Sequence, residues 1–96
     1  MEVLFLDIAR CEMDDAYGYY QEQIDGLGDD FIKEIMVTIN RIKLNPYAWS
    51  VLSERTRRCL VNRFPYSVIY QIRENKILII AIANFHRKPE YWKNRG

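Results

Sequence analysis

The residues with the most chemical potential in this sequence lie in "NFHRKPEYW", residues 84–92. This stretch contains the only histidine of the chain, His86, beside Arg87, and Tyr91 follows a few positions later. Cleavage of RNA through its own 2′-hydroxyl needs a base with a pKa near neutrality, an acid for the leaving oxygen and cations for the phosphorane. Histidine, tyrosine and arginine can supply all three without a metal. Together with Arg63, these residues form a candidate catalytic set.

The same stretch also has a purely structural interpretation. A histidine beside cationic side chains is more often a solvated surface residue than a catalyst. Tyr91 and Trp92 could fold back to cover the edge of a sheet, and Pro89 favours a defined turn because its fixed φ ends strand pairing. The local sequence leaves both interpretations open.

The elements that position these residues follow from the hydrophobic pattern. "VLFLDI" predicts a buried strand, with Asp7 as the candidate N-cap of a first helix. Apolar residues at helical spacing then predict two helices joined at "GLG", the second of which ends at "NP". The predicted apolar stripe is Met13, Ala16, Tyr17, Tyr20 and Ile24 in the first helix, and Phe31, Ile32, Ile35, Met36, Ile39 and Ile42 in the second.

Three further strands are predicted by "RRCLVNRF", "YSVIYQIR" and "KILIIAIA", which are rich in β-branched and aromatic residues. Glu74-Asn75 joins the last two as a short hairpin turn. "ILIIAIA" shows no alternation, so we expect both of its faces to be covered. The sequence therefore predicts a single α+β domain over residues 1–96, in the order β-α-α-β-β-β, with a helical hairpin packed on a mainly antiparallel four-stranded sheet.

Alternation along "RRCLVNRF" places Cys59, Val61 and Arg63 on one face of its strand. Since one face must pack on the helices, we expect Arg63 to lie toward an open groove or at the end of the strand. Arg57 and Arg58 would extend a cationic edge at this place.

The distribution of charge divides the chain into two halves. Thirteen acidic and fourteen basic residues give a net charge of +1, but most of the acidic residues precede Ile35 and most of the basic ones follow it. The basic half could face phosphate or an acidic partner, or the two halves could neutralise each other when they pack.

Cofactor and metal chemistry receive no support from the sequence. Cys11 and Cys59 have no metal-binding spacing, and no second histidine could complete a site, so we expect free thiols, no metal and no cofactor. The apolar stretch near the start is too short for a membrane span or a signal peptide. We therefore expect a cytoplasmic protein that does not bind membranes.

Four stretches together resemble the RelE/ParE superfamily of toxins from bacterial type II toxin–antitoxin modules: "DDAYGYYQEQIDGLGDDFIKEI", "INRIKLNP", "RRCLVNRFPYSVIYQI" and "HRKPEYW". The resemblance covers nearly the whole chain. It implies a small toxin neutralised by a cognate antitoxin that wraps around it. Where antitoxin is absent, the same surface could support a homodimer.

Two toxic targets are compatible with this resemblance. RelE-like members cleave mRNA on the ribosome, and Arg63, His86, Arg87 and Tyr91 match their motif positions, with Trp92 competing for the place of Tyr91. ParE-like members inhibit DNA gyrase without nuclease chemistry. The low net charge and the lack of lysine in "SVLSERT" favour gyrase, since docking to ribosomal RNA needs many cations. We predict mRNA cleavage, with gyrase inhibition as the alternative.

Overall fold

The fold is a helical hairpin packed on one face of a five-stranded sheet, in a computed structural model that describes all residues, 1–96. The strands lie side by side in the order β1-β5-β4-β3-β2. Along the chain the elements are β1 (Glu2–Phe5), α1 (Asp7–Gln23), α2 (Leu27–Leu44), β2 (Ser50–Val51), β3 (Thr56–Leu60), β4 (Tyr66–Arg73) and β5 (Lys76–Asn84).

The predicted fold class is confirmed, and the sheet has one strand more than expected. β1 pairs in parallel with β5, and the other neighbouring strands are antiparallel. The additional strand is β2, which has two exposed residues, Ser50 and Val51, paired with Arg58 and Arg57. So short a strand leaves no periodic signal, which is why the sequence predicted a loop there.

The helical hairpin is confirmed, but its ends differ from the prediction. Leu6, not Asp7, is the N-cap of α1, and no side chain caps the helix. Asp7 is the first helical residue, where its carboxylate still suits the helix dipole. Gly26 is the N-cap of α2 with φ of 91°, a conformation that favours glycine. At Gly28 a Cβ would lie 2.6 Å from the Tyr17 carbonyl oxygen, so this glycine permits the close approach of α1 and α2.

The core lies between the two helices and the inner face of the sheet. Phe31, Ile35 and Ile42 of α2 are fully buried there, as their spacing predicted. Two residues of the predicted stripes are exposed: Ile24 is 65% exposed and Met36 is 45% exposed. Ile24 lies past the last turn of α1, and Met36 lies beside the buried face of α2, because the apolar pattern there is wider than the contact with the sheet.

β4 and β5 form the central hairpin of the sheet. Their turn is at Glu74-Asn75, as predicted, with φ of 50° and 62°, which is typical of a two-residue type I′ turn. A β-bulge shifts the register between the Ile69–Ala81 and Tyr70–Ile79 pairs and leaves Ile80 as the extra residue.

The bulge explains why "ILIIAIA" lacks alternation. It resets the phase of β5, so that Ile79 and Ile82 both face the helices although they are three residues apart, while Ile80 and Ala81 belong to the outer cluster. β5 lies between β1 and β4 and is covered on both faces, which confirms the prediction for this strand.

Candidate functional site: the C-terminal segment on the outer face

The candidate site is built on the outer face of the sheet by the C-terminal segment, residues 85–96. This segment folds in successive turns, in which the N–H groups of Arg87, Tyr91 and Arg95 donate to carbonyls three residues earlier. Tyr91 and Trp92 pack against the apolar side chains of the outer face. The cluster on which they pack comprises Ile69, Ile80, Ala81 and Ala83.

The C-terminal segment is fastened at an open edge of β5. β1 pairs with β5 only as far as Ile79, so the following residues have no strand partner on that side. The carboxylate of Glu12 accepts the N–H of Ile82 at 3.1 Å, and the guanidinium of Arg95 donates to the carbonyl of Ile80 at 3.0 Å. These two side chains satisfy backbone groups that a neighbouring strand would otherwise satisfy.

Glu12 and Arg95 also form a two-point ion pair with each other. Nη1 of Arg95 lies 2.8 Å from Oε1 of Glu12, and Nη2 lies 3.1 Å from Oε2. Their side chains are only 14% and 13% exposed, respectively, so solvent screens the pair weakly. We use the name Glu12 latch for the ion pair between Glu12 and Arg95 together with the hydrogen bond that the Tyr91 hydroxyl donates to Glu12.

Tyr91 is held in the latch as a hydrogen-bond donor. Its hydroxyl donates to Oε2 of Glu12 at 2.7 Å, and the guanidinium carbons of Arg87 and Arg95 lie 4.0 Å and 5.0 Å from its ring centroid. The pKa of Tyr91 is raised far above its ordinary value. Burial is the largest cause, and the hydrogen bond to Glu12 and the charge of that carboxylate add to it. The phenol therefore keeps its proton at any physiological pH.

His86 and Arg87 lie at the start of the C-terminal segment, and both are exposed. The N–H of His86 donates to Oδ1 of Asn84 at 2.7 Å. His86, Arg87 and Tyr91 line one shallow cavity of about 320 Å³, together with Asp15 and other residues. The structure thus brings three of the four predicted site residues together.

Arg63 does not join them. β3 ends at Leu60, and Arg63 lies in the turn that follows it, with φ of 71°. Its guanidinium lies 3.6 Å from the carboxylate of Asp30 near the start of α2, and Arg63 lines none of the cavities that contain His86 or Tyr91. The expected alternation through Arg63 is therefore wrong, although its position beyond the strand's end was one of the two expected.

Arg57 and Arg58 also differ from each other. Arg57 lies on the inner face, where it donates to the carbonyls of Tyr47 at 2.8 Å and Trp49 at 3.0 Å. It holds the loop between α2 and β2 and does not extend a cationic edge as expected. Arg58, opposite Ile69 in the register, is exposed on the outer face.

Thiol and metal chemistry have little support in the structure. Cys11 is exposed and Cys59 is buried, and the two are not bonded to each other. Burial raises the pKa of the Cys59 thiol, which makes it less reactive. No group of three His, Cys, Asp or Glu side chains is placed to hold a metal ion.

Two residues of the site were missed by the sequence analysis, Glu12 and Arg95. They are far apart in the sequence, and no local pattern joins a carboxylate in an amphipathic helix to an arginine near the end of the chain. The only available signal was that a carboxylate in a helix stripe next to Met13 would need a partner if it were buried.

Comparison with known protein families assigns this chain to one of them. The family described as "ParE toxin of type II toxin-antitoxin system, parDE" matches residues 3–89, which is most of the chain. The chain belongs to this ParE toxin family. It is therefore the toxin of a type II toxin–antitoxin system, whose partner is a cognate antitoxin.

A solved structure supports the fold of this ParE toxin. The structure described as "Chromosomal ParDE TA system from P. aeruginosa" aligns with a TM-score of 0.67 and 19% sequence identity, over 88% of this chain and 95% of that chain. At this identity the likeness shows the fold alone. No curated protein matches the sequence significantly. Neither helix of the ParE toxin is long and apolar enough to span a bilayer.

Proposed function

We propose that this ParE toxin stops growth by binding DNA gyrase, without nuclease chemistry. The observation that carries the proposal is the separation of the candidate catalytic residues. Arg63 is paired with Asp30 beside α2, whereas His86, Arg87 and Tyr91 lie at the C-terminal segment. A phosphorane needs its cations and its acid and base around a single phosphate, and Arg63 is engaged elsewhere.

The state of Tyr91 also supports a non-enzymatic toxin. A general acid transfers its proton efficiently when its pKa lies near the working pH. Burial and the neighbouring Glu12 carboxylate raise the pKa of Tyr91 away from that range. Its hydroxyl is also committed to Glu12 at 2.7 Å. The tyrosine therefore suits a structural fastening better than proton transfer.

One observation favours the second candidate, ribosome-associated mRNA cleavage. The exposed imidazole of His86 and the guanidinium of Arg87 line the same cavity, so a base and a cation are close to each other. A nuclease that used only this pair would need a further acid, from the substrate or from the ribosome. His86 and Arg87 therefore remain the residues to test for catalysis.

The experiment compares both activities in one preparation of purified toxin. Supercoiling by DNA gyrase and cleavage of mRNA on translating ribosomes are measured for the wild type, for Arg63→Ala and for His86→Ala. We expect the wild type and both variants to inhibit supercoiling equally, and we expect no cleavage. Loss of one charge-stabilising group from a nuclease would slow cleavage by about 10²–10³-fold.

The outcome that contradicts the proposal is cleavage of mRNA by the wild type at concentrations that leave gyrase unaffected, with that large loss in Arg63→Ala or His86→Ala. Lys33→Ala, an exposed change on α2, is the control for handling and concentration. Thermal melting of every variant establishes that a lost activity does not reflect unfolding.

We propose that the antitoxin binds the helical hairpin at the exposed apolar surface of α2. Met36, Val37 and Leu44 of α2 are 45%, 50% and 69% exposed, and apolar side chains so exposed on one helix are typical of a surface that a partner covers. Without antitoxin the same surface would support a homodimer. Val37→Glu is expected to weaken both contacts, as measured by co-purification with antitoxin and by size-exclusion chromatography. If Val37→Glu leaves antitoxin binding unchanged, the antitoxin binds elsewhere.

A further inference from the structure

A groove runs between the outer face of the sheet and the C-terminal segment. It has a volume of about 340 Å³. Its apolar surface includes Leu52, Ile69 and Ala83, and the ring of Trp92 forms part of its wall. A groove of this size accepts one or two side chains of a peptide and the backbone between them.

The rim of the groove is cationic. Arg58 from β3 and Lys88 from the C-terminal segment both line it, together with Arg87. Arg58 and Lys88 form no ion pair within the chain, where the ion pairs are Arg63–Asp30, Lys76–Glu2 and Arg95–Glu12. A single carboxylate, that of Glu90, lies among the lining residues. These cations are thus available to an acidic partner.

The C-terminal segment, which forms one wall of the groove, is fixed by its contacts with Glu12. Tyr91 lines the groove and donates to Glu12, and Arg95 pairs with the same carboxylate. Because the Glu12 latch fixes the C-terminal segment against β5, the groove is formed before any partner binds. A preformed groove avoids the entropic cost of ordering a loop on binding.

We propose that this groove docks an extended acidic segment of the protein target of the toxin. An apolar side chain of that segment would lie on the floor formed by Ile69 and Ala83, and its flanking carboxylates would pair with Arg58 and Lys88. This inference rests on the proposed function, because it assigns the segment to gyrase.

A peptide fits the groove better than a single-stranded nucleic acid does. Binding of bases requires aromatic rings with free faces on which they stack. Trp92 is packed against the outer cluster, and the ring of Tyr91 already carries two guanidinium groups, at 4.0 Å and 5.0 Å. Phe85 alone offers an exposed ring among the residues that line the groove. An aliphatic floor is instead suited to an aliphatic side chain.

The target is also a better occupant than the antitoxin. The exposed apolar surface of α2 offers the antitoxin a separate and wider contact. The groove suits a short segment whose specificity comes from charge.

The test reverses the charge of the rim with the double variant Arg58→Glu/Lys88→Glu. Its matched control is Arg73→Glu/Lys76→Glu, which makes the same change in net charge at the opposite end of the β4–β5 hairpin. The readouts are the concentration of toxin that half-inhibits gyrase supercoiling and the affinity for antitoxin. We expect the rim variant to need at least about tenfold more toxin, since like charges now face each other across the contact. The control is expected to match the wild type.

The exchange variant Arg58→Lys/Lys88→Arg keeps both charges, so it is expected to inhibit supercoiling as the wild type does. Inhibition by the rim variant that equals the wild type overturns the docking inference and leaves the proposed function intact. Failure of the wild type to inhibit supercoiling overturns the proposed function itself.

Two further outcomes also overturn the inference. An equal loss of antitoxin affinity in the rim variant would assign the groove to the antitoxin. Binding of single-stranded RNA by the wild type, measured by gel shift and lost in the rim variant, would assign it to nucleic acid.

Discussion

The two faces of the sheet are built by different means. The inner face carries fully buried side chains such as Val68, Tyr70 and Ile79, and two long helices cover it. The outer face has a smaller apolar cluster, covered by a short segment that one carboxylate, Glu12, fastens. The inner face therefore supplies most of the stability. Charged side chains and a groove on the outer face therefore have little effect on the stability of the fold.

The largest effect is expected from a cavity on the inner face. Phe31 is fully buried, and its ring packs against Tyr20, Phe64 and Tyr66 at centroid distances of 5.4, 5.3 and 5.0 Å. Phe31→Ala removes these contacts and leaves a void, so we expect the free energy of unfolding to fall by about 3–5 kcal/mol. Urea denaturation followed by circular dichroism measures this change.

Phe85→Ala is the matched control, because it makes the same chemical change on the outer side of the molecule. Phe85 is 55% exposed, and its loss is expected to cost about 0.5 kcal/mol or less. If the two variants lose similar stability, the stability is not concentrated on the inner face.

A smaller and more local effect is expected from breaking the Glu12 latch. Glu12→Ala removes the partner of Arg95 and the acceptor for the N–H of Ile82. Removing one member of a buried ion pair costs about 3–5 kcal/mol. Because this pair is slightly exposed, we expect a loss of about 2–4 kcal/mol. Hydrogen exchange at the amide of Ile82 is expected to accelerate, while amides on the inner strands change less.

Glu12→Gln separates the two functions of this residue. A glutamine still offers an oxygen to one N–H but has no charge for Arg95, so its stability should lie between those of the wild type and Glu12→Ala. Asp14→Ala, an exposed change on the same helix, is the control. A latch that holds the outer face is excluded if Glu12→Ala behaves like Asp14→Ala.

The fold could be predicted because its signals are local. Helical spacing in α2, the turn at Glu74-Asn75 and the continuous apolar run of β5 each arise within a few residues. The sequence could not place Arg63, because alternation assumes that the strand continues. In the structure β3 stops at Leu60, and Arg63 itself has a left-handed backbone conformation with φ of 71°.

The candidate site was harder to predict because it depends on distant contacts. The stretch around His86 was identified from its residue types, but its anchor in Glu12 and Arg95 connects residues far apart in the chain. That contact exists because β1 ends early and leaves an edge of β5 open, which no local pattern reveals. The family match ends at residue 89, before Tyr91 and Arg95, so the match does not include the latch either.

The smallest expected effect is the dependence of stability on pH that one buried tyrosine on each face produces. Burial raises the pKa of Tyr70, on the inner face, from its ordinary value of 10.0 to about 12. The pKa of Tyr91, on the outer face, is raised by burial and by the hydrogen bond to Glu12. In both cases the folded protein binds the phenolic proton more tightly than the unfolded chain. The stabilisation is therefore complete below pH 10 and is lost as the pH rises above it.

For Tyr70 this loss should reach about 1.4 kcal/mol between pH 8 and pH 11, since one pH unit separates the unfolded pKa from pH 11. Urea denaturation at both values measures it, and Tyr70→Phe should lose that much less than the wild type. Tyr91→Phe should also lose less stability between pH 8 and pH 11 than the wild type. It starts from a lower stability at pH 8, because it lacks the hydrogen bond to Glu12. Tyr47→Phe, at an exposed tyrosine, is the control and should follow the wild type. If Tyr70→Phe follows the wild type as well, burial on the inner face does not retain the phenolic proton.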